Sequence, residues 1–454
     1  MKIIIVGAGE VGYNIANRLA SENKRVVVID RDQDAARRLS EDLDVQVITA
    51  SGSNPEVLIN AGIKETDILL AVTDSDETNL VACLMANLIS PTTKKLARLR
   101  NHDFYPYHER FKNENPHIDT IINPETEVVN TIRKLMDVPG AVDLGDFADG
   151  QVKYIGIRLD KNSPMAGMKL IDFSSRFGEN RPLIAAIVRN NEVIVPRGRN
   201  KVLSGDLIYF VSEAAKLEKT LMIFGKKIQP IQRALIVGGG RIGEQLAKIL
   251  EKDLVKTKII ESDIDRCHYL SEQMDKTVVL HGDGSDQKLF LEENAGLSDV
   301  VVSVTDDDET NILVSLLAKN LGVQNTITRI GKSSYFPLLA TIGIEKVVSP
   351  RLSAVSSILQ DVRKGKVLSD ISILGEWGEF IEAIALETSD ITNKPLRKIA
   401  FPKGAILVCI IRDGHIMIPA GDSVVTPGDR IILFAIKQAV KKLEKLLTVK
   451  LDFF

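Results

Sequence analysis

The chain has 454 residues, of which 44% are hydrophobic and 26% charged, and 58 lysines and arginines nearly balance 61 aspartates and glutamates to give a formal net charge of −3. This length predicts three or four domains, and the charge balance excludes a general attraction to nucleic acid or anionic lipid, so we expect no nucleic-acid partner. The three scattered cysteines, Cys83, Cys267 and Cys409, are too few for a disulfide framework or a zinc site and are typical of a reducing, cytoplasmic setting.

The N-terminal part of the chain alternates between short apolar strands and helices. We predict strands at 2–6, 25–29, 45–49, 67–72 and 95–99, and helices at about 11–22, 34–43, 55–61 and 77–89. The strands are rich in β-branched residues, and their alternation with helices is typical of a parallel sheet covered on both faces. The sequence therefore predicts a Rossmann-type doubly wound sheet.

The first strand ends in GAGEVG, where Gly7, Gly9 and Gly12 have the spacing G-x-G-x-x-G. Between a strand and a helix, the first glycine permits the tight turn, the second lets the backbone approach a pyrophosphate, and the third lets helix and strand pack closely. The helix N terminus offers N–H groups to phosphate oxygens. Asp30, at the end of the second strand, can bind ribose hydroxyls and repel a 2′-phosphate, which favours NAD(H), ATP or ADP over NADP(H).

The sequence TDSDETN, residues 73–79, follows the fourth strand. Thr73 and Asp76 have the spacing of a helix capping box, whereas Thr73 and Asp74 are candidate ligand contacts because ligands bind at this edge of such sheets. A divalent cation beside nucleotide phosphates is a third interpretation. Arg98 ends the fifth strand at the same edge, where it is either a solvated charge or a cation that binds phosphate.

The same pattern recurs in the second half of the chain, where Gly238 aligns with Gly7 and TDDDETN with TDSDETN. Because the alignment is long and nearly constant in offset, we interpret it as a duplication. The second copy supplies Gly238, Gly240, Gly243, Glu261, Thr305, Asp306 and Arg329 as the counterparts of the residues above.

A smaller unit follows each copy. Residues 151–212 and 379–437 both predict a strand, a short helix, a strand, a tight turn and two more strands. RNNE and RDGH are hairpin turn signals, and LSGD and TPGD mark a turn before the last strand. We therefore expect the order A-B-A′-B′, with linkers near 137–146, 225–232 and 363–370 and domains at 1–123, 143–227, 232–348 and 368–453.

Two helices near the domain junctions begin with proline, in PETEVVNTIRKLMDV and PRLSAVSSILQDVRK. Each has one apolar stripe at helical spacing, which includes Val128 and Ile132 in the first and Ile358 and Leu359 in the second. Such a stripe usually packs within its own domain, and contact with another subunit is the alternative.

A dehydrogenase would need an acid–base residue in a substrate pocket beside the nucleotide domain. The six histidines share no position between the repeats, and the chain has no G-x-S-x-G, H-E-x-x-H or Walker lysine motif. Two nucleotide sites without a reaction centre indicate sensing, so we expect no enzyme; a soluble NAD-dependent oxidoreductase is the alternative. No stretch approaches the ~18 apolar residues of a membrane span, so we expect a soluble chain that only a partner could hold at a membrane.

These features resemble the RCK (also called KTN) family, and within it the regulatory subunits of bacterial Trk potassium uptake systems. GAGEVG with Asp30, TDSDETN, ARLR, NPE and the duplicated lobe order carry the resemblance over essentially the full length. It implies an α/β fold with two Rossmann-like doubly wound parallel-sheet lobes, each followed by a small α+β C-lobe. It also implies a cytoplasmic homotetrameric ring on the inner face of the membrane, beneath a membrane-embedded Trk-type potassium channel or transporter subunit whose ion flow it gates on binding NAD(H) and ATP or ADP.

The resemblance also implies ligand-binding roles for individual residues, and neither a metal site nor a catalytic residue. In the first copy these are Gly7, Ala8, Gly9, Glu10, Val11, Asp30, Thr73, Asp74 and Arg98. In the second copy they are Gly238, Gly239, Gly240, Arg241, Ile242, Glu261, Thr305, Asp306 and Arg329. The change from Asp30 to Glu261, and from Ser51 to Asp283, predicts that the two sites differ in ligand preference.

Overall fold

The computed structural model describes residues 1–22, 24–178, 181–190, 192–362, 367–373 and 378–447. The chain forms two compact units. The first contains Met1–Val128 and Ser349–Val362, and the second contains Val129–Val348 and Arg363–Phe454. Within the described ranges, no helix is long and apolar enough to cross a lipid bilayer.

The first unit is built on a parallel sheet, which with its helices we call N-lobe 1. Its strands are β1 (Lys2–Val6), β2 (Arg25–Asp30), β3 (Gln46–Thr49), β4 (Ile68–Ala71), β5 (Lys94–Arg98) and β6 (Thr120–Ile122), in the order β3-β2-β1-β4-β5-β6. The helices are α1 (Glu10–Ser21), α2 (Gln33–Asp42), α3 (Pro55–Asn60), α4 (Asp76–Ile89), α5 (His108–Asn113) and, after the last strand, α6 (Pro124–Asp137). Ile3 and Ile4 lie in two different core clusters, because both faces of the sheet are buried.

A five-stranded sheet of antiparallel pairs follows in the second unit, and we call this part C-lobe 1. It contains β7 (Ala141–Phe147), β8 (Val152–Arg158), α7 (Phe173–Phe177), β9 (Leu183–Arg189), β10 (Glu192–Ile194), β11 (Leu207–Glu213) and α8 (Leu217–Ile223). The strand order is β10-β9-β11-β8-β7.

The second parallel sheet, in N-lobe 2, repeats the first. Its strands are β12 (Arg233–Val237), β13 (Lys256–Glu261), β14 (Val278–His281), β15 (Val300–Ser303), β16 (Thr326–Arg329) and β17 (Lys346–Val348), in the order β14-β13-β12-β15-β16-β17. The helices are α9 (Arg241–Lys252), α10 (Ile264–Gln273), α11 (Gln287–Glu292), α12 (Asp308–Asn320), α13 (Phe336–Thr341) and, after the last strand, α14 (Pro350–Val362).

The chain then forms C-lobe 2. Its elements are β18 (Val367–Ile373), β19 (Gly378–Ile384), β20 (Ala405–Arg412), β21 (His415–Met417), β22 (Arg430–Ile436) and α15 (Lys437–Leu447), with the strand order β18-β19-β22-β20-β21. This is the strand order of C-lobe 1, although a short 3₁₀ turn, Leu396–Lys398, stands where C-lobe 1 has α7. The fold class expected from the sequence, two doubly wound lobes each followed by a small α+β lobe, is therefore confirmed.

The two C-lobes pack against each other within the second unit. The ring of Phe380 lies 5.9 Å from that of Phe147 and 5.1 Å from that of Tyr154, measured between centroids. Beside this aromatic contact, the backbone N–H of Ala148 in C-lobe 1 donates to an oxygen of the buried Glu382 in C-lobe 2 at 2.9 Å. Because these side chains come from both sheets, the C-lobes share one core.

Helix α14 packs against the other repeat. It follows the last strand of N-lobe 2, yet it belongs to the first unit and lies along α1. Its Ala354, Ile358 and Leu359 join the core of N-lobe 1, and Nζ of Lys94 donates to the backbone oxygen of Asp361 at 3.0 Å. The sequence predicts that this stripe packs in its own domain or against another subunit. In the structure it packs instead against the other copy in the same chain.

Helix α6 begins in the first unit and ends in the second. Its Val128 and Ile132 are fully buried. Its second half contacts N-lobe 2, where Nη2 of Arg133 lies 3.1 Å from a carboxylate oxygen of Asp253. The prediction of a buried stripe on this helix is confirmed.

The predicted strands and helices of N-lobe 1 match the structure within about two residues, as propensity and periodicity allow. The sequence did not reveal β7 and β18. Residues 137–146 were expected to be a linker, but β7 begins at Ala141 and pairs with β8. Its alternation of apolar residues with acids and glycines gives a weak strand signal, which pairing with a neighbour overrides. Residues 363–366 of the third expected linker lie outside the described residues.

The RDGH hairpin is confirmed, since Arg412 pairs with His415 and both Asp413 and Gly414 have positive φ, as a type I′ turn requires. In the other C-lobe, Arg189 pairs with Glu192 across RNNE, and residue 191 of that turn lies outside the described part of the chain.

Candidate functional site

The glycine loop of N-lobe 1 leaves the N terminus of α1 open to a ligand. Gly7 has a φ of +115°, and a Cβ there would lie 2.9 Å from the backbone nitrogen of Thr73. A Cβ on Gly12 would lie 1.8 Å from the carbonyl oxygen of Gly7, whereas one on Gly9 would meet no atom within 4 Å. Gly9 is the N-cap of α1, so the backbone at the helix N terminus faces open space into which a phosphate group could fit.

The loop of N-lobe 2 has the same geometry. Gly238 has a φ of +107°, and a Cβ there would lie 2.8 Å from the backbone nitrogen of Thr305. A Cβ on Gly243 would lie 2.0 Å from the Gly238 carbonyl oxygen, and one on Gly240 would meet no atom within 4 Å. Both copies therefore keep the backbone access that phosphate binding needs.

The residues that follow each loop, Val11 and Ile242, have buried side chains. Val11 belongs to the core cluster of N-lobe 1. The side chains of these two predicted site residues are therefore turned inwards, and only their backbone N–H groups are suited to contact a ligand.

The two candidate ribose carboxylates also connect the second strand to the glycine loop. One oxygen of Asp30 accepts a hydrogen bond from the backbone N–H of Ala8, and the other accepts the N–H of Asp32 at 2.8 Å. Glu261 accepts the equivalent bonds from Gly239 at 2.7 Å and from the amide two residues further on at 2.9 Å. Since each carboxylate oxygen can accept two hydrogen bonds, both groups keep capacity for ribose hydroxyls.

A buried asparagine in each lobe, which sequence reasoning did not single out, joins the fourth strand to the fifth. The amide oxygen of Asn79 accepts from the backbone N–H of Thr73 at 2.9 Å and from its hydroxyl at 2.7 Å. Its Nδ2 donates to the carbonyl groups of Thr73 and Arg98 at 3.0 and 2.8 Å. Asn311 makes the same four bonds in N-lobe 2 at 2.8–3.1 Å. The only signal for it in the sequence was the last residue of TDSDETN and TDDDETN.

The arginine at the end of the fifth strand of each lobe is almost buried. It lies at the edge of the sheet where the parallel strands have their carboxyl ends, which we call the ligand edge. The Arg98 side chain is 12% exposed and its Nη1 lies 3.3 Å from Asp74, while Nη1 of Arg329 lies 2.7 Å from Asp306. In both arginines, Nε is buried and has no hydrogen-bond partner among the described residues. Burial lowers the pKa of Arg98, and the neighbouring Arg100 acts in the same direction. A guanidinium nevertheless remains charged, so each edge presents a partly desolvated cation suited to an anion.

The capping-box interpretation of Thr73 and Asp76 is wrong. The cap of α4 is Ser75, whose hydroxyl accepts the N–H of Thr78 at 3.1 Å. The buried Asp76 accepts the N–H of Arg100 at 2.9 Å and orders the loop after β5, and the second copy has an equivalent cap and buried aspartate. Because the carboxylates of these two aspartates already accept hydrogen bonds from backbone N–H groups, the aspartates are poor cation ligands. In the described part of the chain, no group of three or more His, Cys, Asp and Glu residues could hold a metal ion.

N-lobe 1 has a second arginine at the ligand edge. Nη2 of Arg100 donates to the carbonyl oxygen of Asp74 at 2.8 Å. The aligned position in N-lobe 2 is Gly331. Sequence reasoning singled out only the first arginine of ARLR, although both lie at the end of the same strand.

N-lobe 2 has an arginine over its glycine loop that N-lobe 1 lacks. Nε of Arg266 donates to the carbonyl oxygen of Gly239 at 2.8 Å, and Nη2 lies 2.6 Å from an oxygen of Glu244. Partial burial acts to raise the pKa of Glu244, but hydrogen bonds from Lys248 and Arg266 lower it. The position aligned with Arg266 in N-lobe 1 is Ala35, so the loop environment differs between the lobes.

N-lobe 1 in turn has an ion pair at the start of its α1. Nη1 of Arg351, in the first turn of α14, lies 2.8 Å from a carboxylate oxygen of Glu10. Glu10 is thus a predicted site residue that the structure places at the loop, and Arg351 is a neighbour that no pattern in the sequence predicts there.

The cysteines do not form a second reactive site. All three are buried and free. Burial raises the pKa of Cys83 and of Cys409 to about 12, so these thiols are protonated and unreactive near neutral pH.

Comparisons with known proteins agree with this geometry. The family model described as the TrkA-N domain matches residues 3–124 and 234–350, and that of the TrkA-C domain matches residues 154–225 and 380–448. The Trk system potassium uptake protein TrkA of Azorhizobium caulinodans is 38% identical, over 100% of both chains. The protein of the same name from Halomonas elongata is 35% identical, again over 100% of both. The TrkA homolog 1 of Methanosarcina mazei is 37% identical over 98% of this chain and 99% of its own.

Solved structures show the same fold. A GsuK channel bound to NAD has a TM-score of 0.60 at 19% identity and covers 98% of this chain and 78% of its own. The GsuK RCK domain gives a TM-score of 0.60 at 19% identity and covers 98% of this chain and 94% of its own. At this identity the likeness concerns the fold.

Proposed function

The chain belongs to the TrkA family of Trk system potassium uptake proteins, and we propose on this basis that it is a nucleotide-binding regulatory subunit of a potassium uptake system. It acts by binding and not by catalysis. Its partner is a membrane-embedded Trk-type potassium channel or transporter subunit, which conducts the ions and which the chain gates.

The observation that carries the proposal is the duplicated ligand edge. In each N-lobe, an open glycine at the helix N terminus, a carboxylate tied to the loop and a nearly buried arginine lie at the carboxyl ends of the parallel strands. The helix N terminus and the arginine favour phosphate, and the carboxylate favours ribose hydroxyls. These are the parts of a nucleotide, and a polar arrangement with both charge signs in this order suits few other ligands.

The chemistry of the edge favours NAD(H), ATP and ADP as ligands. Asp30 and Glu261 each leave acceptor capacity for a ribose diol, whereas either would repel a 2′-phosphate and so disfavour NADP(H). The NAD-bound GsuK channel supports NAD, since it has the same fold. Different surroundings of the two loops, with Arg266 in one and the Glu10–Arg351 pair in the other, support different ligand preferences at the two sites.

Regulation follows from linkage. A nucleotide can shift the chain between two conformations only by binding one of them more tightly. We infer that four chains form a ring at the inner face of the membrane, held there by the conducting subunit, and that nucleotide exchange in the N-lobes alters the ring. The test of the assembly is its mass, which light scattering should find at about four times the 50.0 kDa of one chain.

The decisive experiment for the sites is calorimetric titration of the purified chain with NADH, ADP, ATP and NADPH. Asp30→Asn and Glu261→Gln remove the charge with little change of shape, and each should abolish one binding event and leave the other. NADPH should bind more weakly than NADH. Asp34→Asn is the matched control, because Asp34 is an exposed carboxylate on α2 that pairs only with Arg37 among the interactions described.

Binding that survives in both charge variants would show that the carboxylates do not contact the ligand, and the glycine loops would then be structural turns. Thermal unfolding of each variant shows whether it is folded. Gating is tested by potassium uptake in cells that carry a Trk membrane subunit together with either the wild-type chain or a variant that combines Asp30→Asn and Glu261→Gln. Equal uptake with the two would reject regulation by these sites.

A further inference from the structure

The ion pair between Glu10 and Arg351 lies at the candidate phosphate site of N-lobe 1. Glu10 is the first residue of α1, directly after the N-cap Gly9. Arg351 is the second residue of α14, which lies along α1 in the same unit. The 2.8 Å contact between Nη1 and the carboxylate therefore brings the N termini of both helices to the glycine loop. Two helix N termini and a guanidinium favour an anion at this place.

The two partners of the pair differ in their exposure to water. The Glu10 side chain is 68% exposed, whereas that of Arg351 is only 11% exposed. Nε of Arg351 is buried and has no hydrogen-bond partner in the described part of the chain. Glu10 can therefore turn into water at little cost, but Arg351 cannot, and it needs an anion beside it.

We propose that Arg351 is a phosphate-binding residue of the first nucleotide site, and that Glu10 is an internal substitute for the phosphate. The carboxylate pairs with the guanidinium while the site is empty. The phosphate chain of a nucleotide displaces it, and Glu10 then becomes solvated. This inference rests on the proposed function, and it adds to it a residue that lies outside both glycine motifs.

The exchange concerns N-lobe 1. The positions aligned with Glu10 and Arg351 in the other copy are Arg241 and Glu125, so the charges are reversed. In N-lobe 2 the cation of this aligned pair therefore lies on the glycine loop itself. A variant at Arg351 should therefore affect one of the two binding events.

Arg351 belongs to the second repeat, although the site it adjoins belongs to the first. The helix that carries it is contributed by the second repeat, and the chain on both sides of it belongs to the second unit. A phosphate in the first site thus contacts a side chain of the second repeat. Nucleotide binding in N-lobe 1 is therefore coupled to the position of α14. The coupling free energy equals the contribution of Arg351 to phosphate binding.

The test is calorimetric titration of the full chain with ADP and, separately, with adenosine. Arg351→Gln should weaken ADP binding at the first site by about 10- to 100-fold, the range for a lost charge-assisted hydrogen bond, and leave adenosine binding unchanged. Arg351→Lys should recover part of the affinity, since it restores the charge without the planar fork. The matched control is Arg37→Gln, which removes an exposed arginine of the same lobe and should change neither titration.

Glu10→Gln tests whether the Glu10 carboxylate takes the place of the phosphate in the empty site. Without the competing carboxylate, ADP should bind several-fold more tightly and adenosine as before. Removing any negative charge near a phosphate would also raise affinity, so the double variant decides between the two causes. If Glu10 acts by occupying Arg351, its effect should largely disappear in the Arg351→Gln background, whereas a simple charge effect would persist there unchanged.

The outcomes separate this inference from the proposed function. ADP binding that depends on Asp30 but is unaffected by Arg351→Gln would overturn the inference and leave the function standing. A loss of adenosine binding equal to the loss of ADP binding would also overturn it, because the arginine would then act through the fold. Absence of any nucleotide binding by the wild-type chain would overturn both.

Discussion

N-lobe 1 and N-lobe 2 have the same backbone frame around the candidate site and different charges beside it. Each frame consists of a glycine loop, a carboxylate hydrogen-bonded to that loop and a buried asparagine that holds two strand ends together. The charges differ, since the Glu10–Arg351 pair adjoins one loop and Arg266 the other. The comparison shows that a duplicated fold can keep the backbone geometry of a candidate site while the charged side chains around it differ.

The C-lobes differ in a similar way, but in their core. The buried Asp143 of C-lobe 1 accepts hydrogen bonds from the hydroxyls of Tyr154 and Tyr209, both at 3.2 Å. By register, Phe380 and Ile432 stand at the positions of the two tyrosines in C-lobe 2. The sheet of C-lobe 2 thus has no hydroxyl group at either of these two positions.

The largest effect is expected at the asparagines that the lobes share. Asn79→Ala and Asn311→Ala should each destabilise their own lobe by about 4 kcal/mol, because several buried backbone groups lose their partner at once. Hydrogen exchange of amides in each lobe measures this. Asn113→Ala, at an exposed position of α5, is the control and should have no effect. Clearly unequal losses in the two lobes would contradict the idea of a common frame.

The glycines should separate structural from ligand-binding roles. Gly12→Ala and Gly243→Ala should each cost about 3 kcal/mol, since the new Cβ would collide with a backbone carbonyl group. Gly9→Ala and Gly240→Ala should leave stability within about 0.5 kcal/mol, because the Cβ enters open space, yet they should weaken nucleotide binding. Denaturant unfolding and calorimetry together test this pair. Full nucleotide affinity in Gly9→Ala would show that the ligand does not approach the loop.

The carboxyl group of Asp143 should give C-lobe 1 a pH dependence. Burial raises the pKa of Asp143 to about 6, although hydrogen bonds from the two tyrosines act in the opposite direction. Because this pKa lies above the unfolded value of about 3.9, the folded state binds the proton more tightly. The contribution of this group to stability is therefore full below about pH 4 and is lost as the pH rises to about 6, a change of up to about 3 kcal/mol.

Asp143→Asn should remove that part of the pH dependence. Guanidinium chloride unfolding of the wild type and the variant between about pH 4.5 and 7.5 measures the difference. The two stability curves should approach or cross as the pH rises, because only the wild type loses stability from this group. Parallel curves would show that Asp143 does not titrate in this range.

The smallest effect is expected at the arginine peculiar to N-lobe 2. Arg266→Ala should destabilise that lobe by about 1 kcal/mol, since Arg266 is partly exposed and its partners can turn to water. The reverse change, Ala35→Arg in N-lobe 1, should bring no gain because Tyr13 stands where N-lobe 2 has Glu244. Lobe-resolved hydrogen exchange compares the two. A gain from Ala35→Arg equal to the loss from Arg266→Ala would show that the network is not specific to its surroundings.

Much of the candidate site could be read from the sequence, because its signals are local. The glycine spacing reports backbone conformation directly, and the structure shows positive φ at Gly7 and Gly238. The asparagine of each lobe could not be assigned in the same way. A helical asparagine near an N terminus is commonly exposed, and only the position of the neighbouring strand reveals that Asn79 bridges to the carbonyl of Arg98.

The sequence by itself determined the fold class, the duplication, most strands and helices and the position of the two glycine loops, since all of these follow from periodicity, turn chemistry and strand order. The tertiary structure decided which surfaces meet. An apolar stripe shows that one face of α14 is buried, but not that N-lobe 1 covers it, and no local pattern places Arg351 beside Glu10. Contacts between segments distant in the chain depend on the complementarity of whole surfaces, which a single stretch of sequence does not encode.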